Sequence, residues 1–298
     1  MKISSIKLLQ LLFVLLFNSL AGMGQKTIKI LSYNVLYGLQ QDSVNIERYK
    51  SLIRELAPDI VATQEMNGWK QKTLEELAGS YGHPYALQSK ETGYPVALTS
   101  KTPMVNFKKV TENVLHSYIY AKIQGIHIFV LHLSPSGYQK RLEEADEIIA
   151  QARELPAREP ILIMGDFNAL DASDSAYYGE TTLLATKRRE EKYPHLRNLN
   201  QGRLDYSVMN KFKEAGFKDS FKVMKNEFTG SMPTFKDGEG KIQENETGML
   251  RRIDYVWCNA TAVRYLTKSV ILKNELTRVI SDHYPVYVEL ILPGKRNK

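Results

Sequence analysis

Cysteine is almost absent from this sequence. Cys258 is the only one in 298 residues, so no intramolecular disulfide can form in any redox compartment. Small folds held together by disulfides are therefore excluded, and stability must come from an apolar core and from any bound metal. A chain of this length can bury one large core or two smaller ones.

Other features are missing as well. The Gly-x-Ser-x-Gly elbow of many serine hydrolases does not occur, which leaves Ser134 and Ser281 as nucleophile candidates without a supporting motif. No fixed-period repeat and no linker divides the chain. The net charge is only +7, and without residues 1–24 the balance is 38 basic to 33 acidic residues. Such a small surplus permits a phosphate-bearing substrate but does not require one.

The longest apolar run lies at the N-terminus. Two lysines precede residues 8–20, which are almost wholly apolar, and small residues follow as far as Gly24. This order is typical of a secretory signal peptide, and the run is too short to span a membrane. We therefore expect cleavage near Ala21 or Gly24, a single catalytic domain over 25–298 with no integral membrane segment, and a secreted or periplasmic location. An uncleaved signal anchor is the alternative.

Beyond the N-terminus, hydrophobic periodicity indicates more strands than helices. A helix capped by Asp42 or Ser43 and a Gln124-Gly125 hairpin turn are expected, while 172–202 and 226–249 are predicted to be irregular. Because the helices fall between clusters of strands, we predict two packed sheets with helices outside. The predicted strands are 29–34, 60–62, 95–99, 104–110, 114–123, 126–133, 161–165, 252–258, 263–272 and 284–292, and the predicted helices are 43–56, about 69–77, 139–155 and 206–215.

The segment 161–169, Ile-Leu-Ile-Met-Gly-Asp-Phe-Asn-Ala, carries the clearest chemical signal. An apolar run that reaches a glycine reads as a buried strand ending at a sharp turn. Asp166 and Asn168 have the same side-chain parity, so both could face one cavity. An anionic acceptor beside an amide donor suits a site that positions a nucleophile next to a phosphate.

Similar polar residues recur at the ends of other apolar runs. Each has a simple structural explanation when taken alone: Glu65 could cap a helix, His132 could be a satisfied core histidine, and Asp254 could pair with Arg251 or Arg252. An isolated carboxylate in such a place is nevertheless costly unless it is paired or metal-bound. The recurrence favours one shared site, formed by Asn34, Glu65, His132, Asp166, Asn168, Asp254, Asp282 and His283.

In their order along the chain, these motifs resemble those of the endonuclease/exonuclease/phosphatase superfamily. That superfamily includes exonuclease III-like nucleases, pancreatic-type DNases, neutral sphingomyelinases and inositol polyphosphate 5-phosphatases. The resemblance implies a four-layered α/β sandwich, with two packed mixed β-sheets flanked by helices, and hydrolysis of phosphate esters. The matching segments are Ser-Tyr-Asn34-Val, Thr-Gln-Glu65, His132-Leu, Gly-Asp166-Phe-Asn168, Arg-Ile-Asp254-Tyr and Ser-Asp282-His283-Tyr-Pro.

The resemblance also implies a divalent metal, usually Mg²⁺, with Mn²⁺ or Ca²⁺ as alternatives. Glu65 would be the principal ligand, Asp282 would assist the metal site, and Asn34 would sit beside the metal or the phosphate. Magnesium prefers oxygen ligands and typically takes one or two protein carboxylates, so these residue types suit it.

Five further residues would carry the catalytic steps. Asp166 would orient or deprotonate the attacking water, and Asn168 would hold a phosphate oxygen. Asp254 would fix the tautomer of His283 and make it the more basic of the two histidines. His132 and His283 would flank the phosphorus as acid and base, and we assign the acid role to His132.

Two departures from the pattern of exonuclease III-like nucleases indicate which branch of the superfamily this chain resembles. Exonuclease III-like nucleases tend to carry an acid where this chain has Leu36, and a tyrosine where it has His132. The DNase, sphingomyelinase and 5-phosphatase branches match better, although the 5-phosphatase Trp-Cys-Asp-Arg signature and the disulfides of pancreatic-type DNases are missing. We therefore expect a monomeric phosphodiesterase that acts on nucleic acid or a phospholipid headgroup. A non-catalytic module that binds phosphate or membrane surfaces on the same fold is the rival.

Substrate choice is expected to lie in the loops 177–201 and 226–249. The run Lys187, Arg188 and Arg189 could contact a phosphodiester backbone or could simply be a solvated loop. Phe228 and Phe235 could stack on a base, enter a lipid interface or pack within the loop.

Overall fold

The computed structural model describes residues 25–234 and 250–294, which form two six-stranded mixed sheets. The strands are numbered in chain order. From edge to edge, the first sheet contains β13 (Leu266–Ile271), β14 (Val286–Leu292), β1 (Lys26–Asn34), β2 (Ile60–Gln64), β4 (Ala97–Ser100) and β3 (Tyr85–Gln88). The second contains β11 (Lys218–Asp219), β12 (Asp254–Cys258), β8 (Ile161–Asp166), β7 (Ile126–His132), β6 (Tyr118–Ile123) and β5 (Met104–Val110).

Each sheet has one parallel pair at its centre, β1 with β2 and β7 with β8, while its other pairs are antiparallel. A short hairpin of β9 (Leu199–Asn200) and β10 (Arg203–Leu204) stands apart. The helices are α1 (Ser43–Leu56), α2 (Gln71–Ser80), α3 (Tyr138–Arg153), α4 (Glu180–Lys192), α5 (Ser207–Glu214), α6 (Ser220–Met224), α7 (Ala260–Tyr265) and α8 (Thr277–Ile280), with a 3₁₀ helix at Ala172–Tyr177 and a short turn at Leu36–Leu39.

The alternation of side chains along the strands builds four layers. Ile28 and Ile30 of β1 point into the core between the sheets, together with Leu162 and Met164 of β8. The alternate residues point outward: those of the first sheet pack against α1 and α2, and those of the second against α3 and α5. The predicted four-layered α/β sandwich is therefore confirmed.

Local signals fixed several element ends as predicted. Asp42 caps α1 by accepting a hydrogen bond from the Val44 amide. Gln124 and Gly125 both have positive φ and join β6 to β7, as a two-residue hairpin turn requires. The other predicted strands and helices have counterparts whose ends differ by a few residues.

The prediction of an irregular segment at 172–202 was wrong. It contains a 3₁₀ helix, the 13-residue helix α4 and strand β9. Thr182 is the only buried residue of α4, so this helix lacks the apolar stripe that would reveal it in the sequence. The sequence also missed β3 and the short helices α6, α7 and α8.

The predicted signal peptide at 1–24 and most of the predicted loop at 226–249, including Phe235, lie outside the described residues. Within 25–234 and 250–294, no helix combines the length and the apolar character that a membrane crossing needs.

Candidate active site

The site lies where the apolar core between the sheets reaches one end of the strands. Asn34 follows Ile28 and Ile30 with the same parity on β1, and His132 follows Ile128 and Val130 on β7. His132, Asp166 and Asp254 are register partners on three adjacent strands. The strand periodicity that fills the core with aliphatic side chains thus also brings these polar side chains to one place.

Gly165 lets β8 approach β7 closely just before these residues. Its φ is +143°, and a Cβ there would lie 1.9 Å from the Leu131 carbonyl oxygen. Only glycine tolerates this position. Because Leu131 and Gly165 immediately precede the paired residues His132 and Asp166, the glycine sets the spacing of two site residues.

A left-handed turn holds the loop after Asn34. Residues 36–41 all have φ between 47° and 66°, a conformation that costs L-residues about 1–2 kcal/mol each. The turn is fixed by Trp69, whose Nε1 donates to the Gly38 carbonyl at 2.9 Å, and by the Gly38 amide, which donates to the Glu65 carbonyl at 2.5 Å. Strain of this kind persists only where surrounding contacts over-determine it, and it concentrates at functional sites.

Glu65 is oriented by this turn and by Asn34. It lies just after β2 with a φ of +60°, so the backbone turns its side chain away from the strand direction. Its Oε2 accepts the Tyr37 amide at 3.0 Å, and its Oε1 accepts Asn34 Nδ2 at 3.2 Å. Asn34 Nδ2 also donates to Asp166 Oδ2 at 3.0 Å. Asn34 therefore bridges the carboxylates from the two sheets.

His283 belongs to a buried hydrogen-bonded chain. Its Nδ1 lies 2.8 Å from Asp254 Oδ2, which also accepts the Ser231 hydroxyl at 2.7 Å. Burial by itself lowers the pKa of His283, but the carboxylates of Asp254, Asp282 and Asp166 outweigh it and raise the pKa well above 6.5. These carboxylates therefore favour the cationic form of His283, whose Nε2 lies 3.8 Å from Asp166 Oδ2.

The pKa of His132 is shifted in the opposite direction. Its Nε2 is 3.5 Å from Asp166 Oδ2, while its buried Nδ1 has no hydrogen-bond partner among the described residues. Burial lowers the pKa of His132 to about 4, against the opposing effect of Glu65. The order of basicity agrees with the sequence prediction, and the assignment of the acid role to His132 stays a prediction.

Asp166 lies between the two histidines. Burial raises its pKa to about 7, and the nearby His283 cation opposes this rise. Its Oδ1 accepts the backbone amide of Asn168, which has a φ of +48°. Asn168 uses one amide hydrogen on the Leu133 carbonyl at 3.1 Å, so the other can reach a ligand. A carboxyl group that titrates near neutrality can accept a proton from water.

A cavity of about 470 Å³ is lined by six of the eight predicted site residues, all but Asn34 and Asp254, and by residues that the sequence did not indicate. His116 packs its ring 4.5 Å from that of His132, and the Tyr94 ring lies 5.0 Å from His116. Burial lowers the pKa of His116 to about 3, so it is a neutral wall of the cavity. Neither residue follows a recognisable motif, so only the tertiary contacts reveal them.

The carboxylates fit a divalent cation. Glu65 and Asp282 both line the cavity, and within 25–234 and 250–294 no lysine or arginine forms a salt bridge with either. Two carboxylate ligands without a lysine or arginine partner match the preference of magnesium for oxygen ligands. Asn34 donates its side-chain amide to Glu65 Oε1, so it orients this carboxylate.

A second group with metal-ligand chemistry is formed by Asp166, Asp254 and His283, whose ligand atoms lie within 4.8 Å of one another. Its shortest contact is the 2.8 Å hydrogen bond between His283 and Asp254. This bond occupies Nδ1, so we interpret the group as the histidine and its orienting carboxylates.

The structural explanations considered for single residues do not hold here. Arg252 pairs with Asp174 and Asp219, and Arg251 contacts the Met232 sulfur at 3.5 Å; neither pairs with Asp254. The serine nucleophile is also excluded by geometry. The Ser281 hydroxyl donates to the Asn34 carbonyl at 2.7 Å, and Ser134 is completely buried.

The fold and the site define a hydrolase of phosphate esters. The chain belongs to the Endonuclease/Exonuclease/phosphatase family, whose model matches residues 31–283. A comparison with curated proteins finds no match.

Solved structures share the fold at low sequence identity. A 3′ phosphatase, NExo, from Neisseria, bound to a product DNA hairpin, is 18% identical with a TM-score of 0.66, over 88% of this chain and 99% of its own. An AP endonuclease from Archaeoglobus fulgidus is 18% identical with a TM-score of 0.63, over 88% and 98%. A 3′-5′ exonuclease, NExo, from Neisseria meningitidis is 18% identical with a TM-score of 0.65, over 88% and 99%.

Proposed function

We propose that this protein is a secreted, divalent-metal-dependent phosphodiesterase. The observation that carries the proposal is the convergence of His132, Asp166 and His283 on one point, with Glu65 and Asp282 in the same cavity. Family membership supplies the reaction class. The N-terminal sequence supports secretion. One structural neighbour is a 3′ phosphatase bound to a product DNA hairpin and another is an AP endonuclease, so DNA is the first substrate to test.

Each residue has a role that follows from its contacts. Glu65 and Asp282 would hold the cation, which when bound offsets negative charge on the phosphoryl oxygens. Asp166 accepts a proton from the attacking water, because its pKa is near neutrality and two histidines face it. The free amide hydrogen of Asn168 binds a phosphate oxygen.

The proton for the leaving oxygen comes from a histidine. Asp254 and Asp282 favour the cationic form of His283 despite burial, so His283 can supply that proton. Proton transfer of this kind contributes roughly 10²–10⁴-fold in rate. Substrate binding decides which histidine is closer to the leaving group, so the acid assignment is a separate prediction and is tested below.

A substrate panel tests the proposal. Bis-p-nitrophenyl phosphate, plasmid DNA, sphingomyelin and phosphoinositides are each incubated with Mg²⁺, Mn²⁺ or Ca²⁺, and with EDTA. We expect hydrolysis of at least one diester with a divalent metal and none with EDTA. Hydrolysis that EDTA does not affect would refute the metal dependence. No hydrolysis under any condition would favour the non-catalytic binding module.

A further inference from the structure

One face of helix α4 forms a wall of the catalytic cavity. Thr182, Ala185, Thr186 and Arg189 all line it, and their spacing of three, four and seven residues places them on one side of a helix. Lys187, in the same basic run, is exposed and does not line the cavity. Of the three cations Lys187, Arg188 and Arg189 on this helix, only Arg189 lines the cavity.

Arg251 lines the same cavity from the chain segment that precedes β12. Among the described residues its buried Nε has no hydrogen-bond partner, and its Nη2 reaches only the Met232 sulfur at 3.5 Å. A thioether is a weak acceptor. Among the described residues, no carboxylate forms a salt bridge with Arg251, which contrasts with its neighbour Arg252 and the two aspartates bound to it.

The two cavity-facing arginines also repel each other. Burial lowers the pKa of Arg251, and the charge of Arg189 lowers it further. Arg189 itself has no side-chain hydrogen bond or ion pair within 25–234 and 250–294. Because Arg251 is partly buried and forms no salt bridge with a described carboxylate, an anion bound beside the two arginines would be favoured.

Arg251 lies within electrostatic range of the catalytic centre. Asp166 and Asp282 both act on the charge of Arg251, and these three residues line one cavity of about 470 Å³ with Arg189. Arginine binds phosphate oxygens through two parallel hydrogen bonds, which gives both strength and orientation. A phosphoryl group is therefore the anion that best fits this wall.

We propose that Arg189 and Arg251 form a second phosphate subsite, which binds a phosphoryl group of the substrate other than the one that is cleaved. The inference rests on the proposed phosphodiesterase function, because it places the cleaved phosphate at Asp166 and the histidines. It specifies the substrate class: molecules that carry at least two phosphoryl groups, such as a nucleic acid strand or a small bisphosphate.

Non-hydrolysable ligands test the subsite directly. Straight-chain alkanes of about three to six carbons, with a phosphonate at one end or at both ends, are titrated against the protein by calorimetry with Mg²⁺ present. We expect the second phosphonate to tighten binding by about tenfold or more at one or more chain lengths, as charge-assisted hydrogen bonds should. A gain below about twofold at every length would overturn the proposal.

Matched variants test whether the two arginines cause this gain in affinity. Arg251→Gln should abolish it, Arg189→Gln should reduce it, and the control Lys187→Gln on the same helix should leave it unchanged. A full gain in Arg251→Gln and Arg189→Gln would refute the assignment. If Arg251→Gln does not fold, Arg189→Gln decides, because its exposed side chain is not needed for packing.

Two further measurements separate the remaining outcomes. The p-nitrophenyl ester of thymidine 5′-phosphate is compared with the same ester carrying a 3′-phosphate. A higher kcat/KM with the 3′-phosphate identifies nucleic acid as the source of the second group, whereas a gain confined to the alkane series identifies a small bisphosphate. A binding gain without hydrolysis of any diester would support the subsite while refuting the proposed function.

Discussion

Replacing Gly165 with alanine should damage both stability and activity. The new Cβ would lie 1.9 Å from the Leu131 carbonyl oxygen and 2.9 Å from the Leu131 carbonyl carbon, and both atoms belong to the backbone of β7. Backbone atoms cannot rotate away as a flexible side chain can. Since real Cβ contacts are not found below 3.0 Å, β7 and β8 must separate by more than an ångström.

The expected cost has two parts. Alanine at a φ of +143° adds about 1–3 kcal/mol of backbone strain, and the forced strand separation adds about 1–3 kcal/mol of overpacking. We therefore expect a loss of about 2–6 kcal/mol in the free energy of unfolding. His132 and Asp166 move apart with the strands, and a displacement of 1 Å at a catalytic group can cost about 10²-fold in rate.

Urea denaturation and kcat/KM for bis-p-nitrophenyl phosphate measure the two effects. Gly125→Ala is the matched control, because Gly125 also has positive φ (+84°) but a Cβ there meets nothing within 4 Å. Gly125 immediately precedes β7, whereas His132 is the last residue of that strand. The Gly125→Ala variant should therefore keep wild-type activity. If Gly165→Ala matched this control in both measurements, the close approach of the two strands would not be what shapes the site.

Four other predictions follow from the site and its surroundings. Glu65→Gln keeps the shape but removes the charge that holds the cation, so activity should fall by orders of magnitude with an unchanged circular dichroism spectrum, whereas the exposed Glu143→Gln should be silent. His132→Ala should lose activity equally on an alkyl and a nitrophenyl diester if His283 is the acid; recovery on the nitrophenyl ester alone would assign that role to His132. Asp219→Asn leaves a buried arginine without one partner and should lower the free energy of unfolding by about 3–5 kcal/mol in urea titrations. N-terminal sequencing of the native protein should show a mature chain that begins near Gly22 or Gln25, and an intact Met1 in a cytosolic fraction would contradict secretion.

The sequence by itself determined the architecture and the location of the site. Alternating apolar residues on β1, β7 and β8 specify one face of each strand, and Asn34, His132 and Asp166 continue that face with the same parity. The local signals at Asp42 and Gln124-Gly125 act over a few residues. Parity, capping and turn chemistry depend on near neighbours in the chain, so the sequence displays them directly.

Only the tertiary structure decided what surrounds the catalytic groups. Helix α4 was hidden because its inward face borders the cavity through Thr182, Ala185, Thr186 and Arg189, a set that forms no apolar stripe. His116 is recognised by its ring contact with His132, and Arg251 by its place in the same cavity as Arg189, and each pair comes from different parts of the chain. The charge states of the two histidines likewise depend on burial and on carboxylates brought from distant strands. Burial and long-range charge exist only once the chain has folded, because no local pattern encodes the distance between residues far apart in sequence.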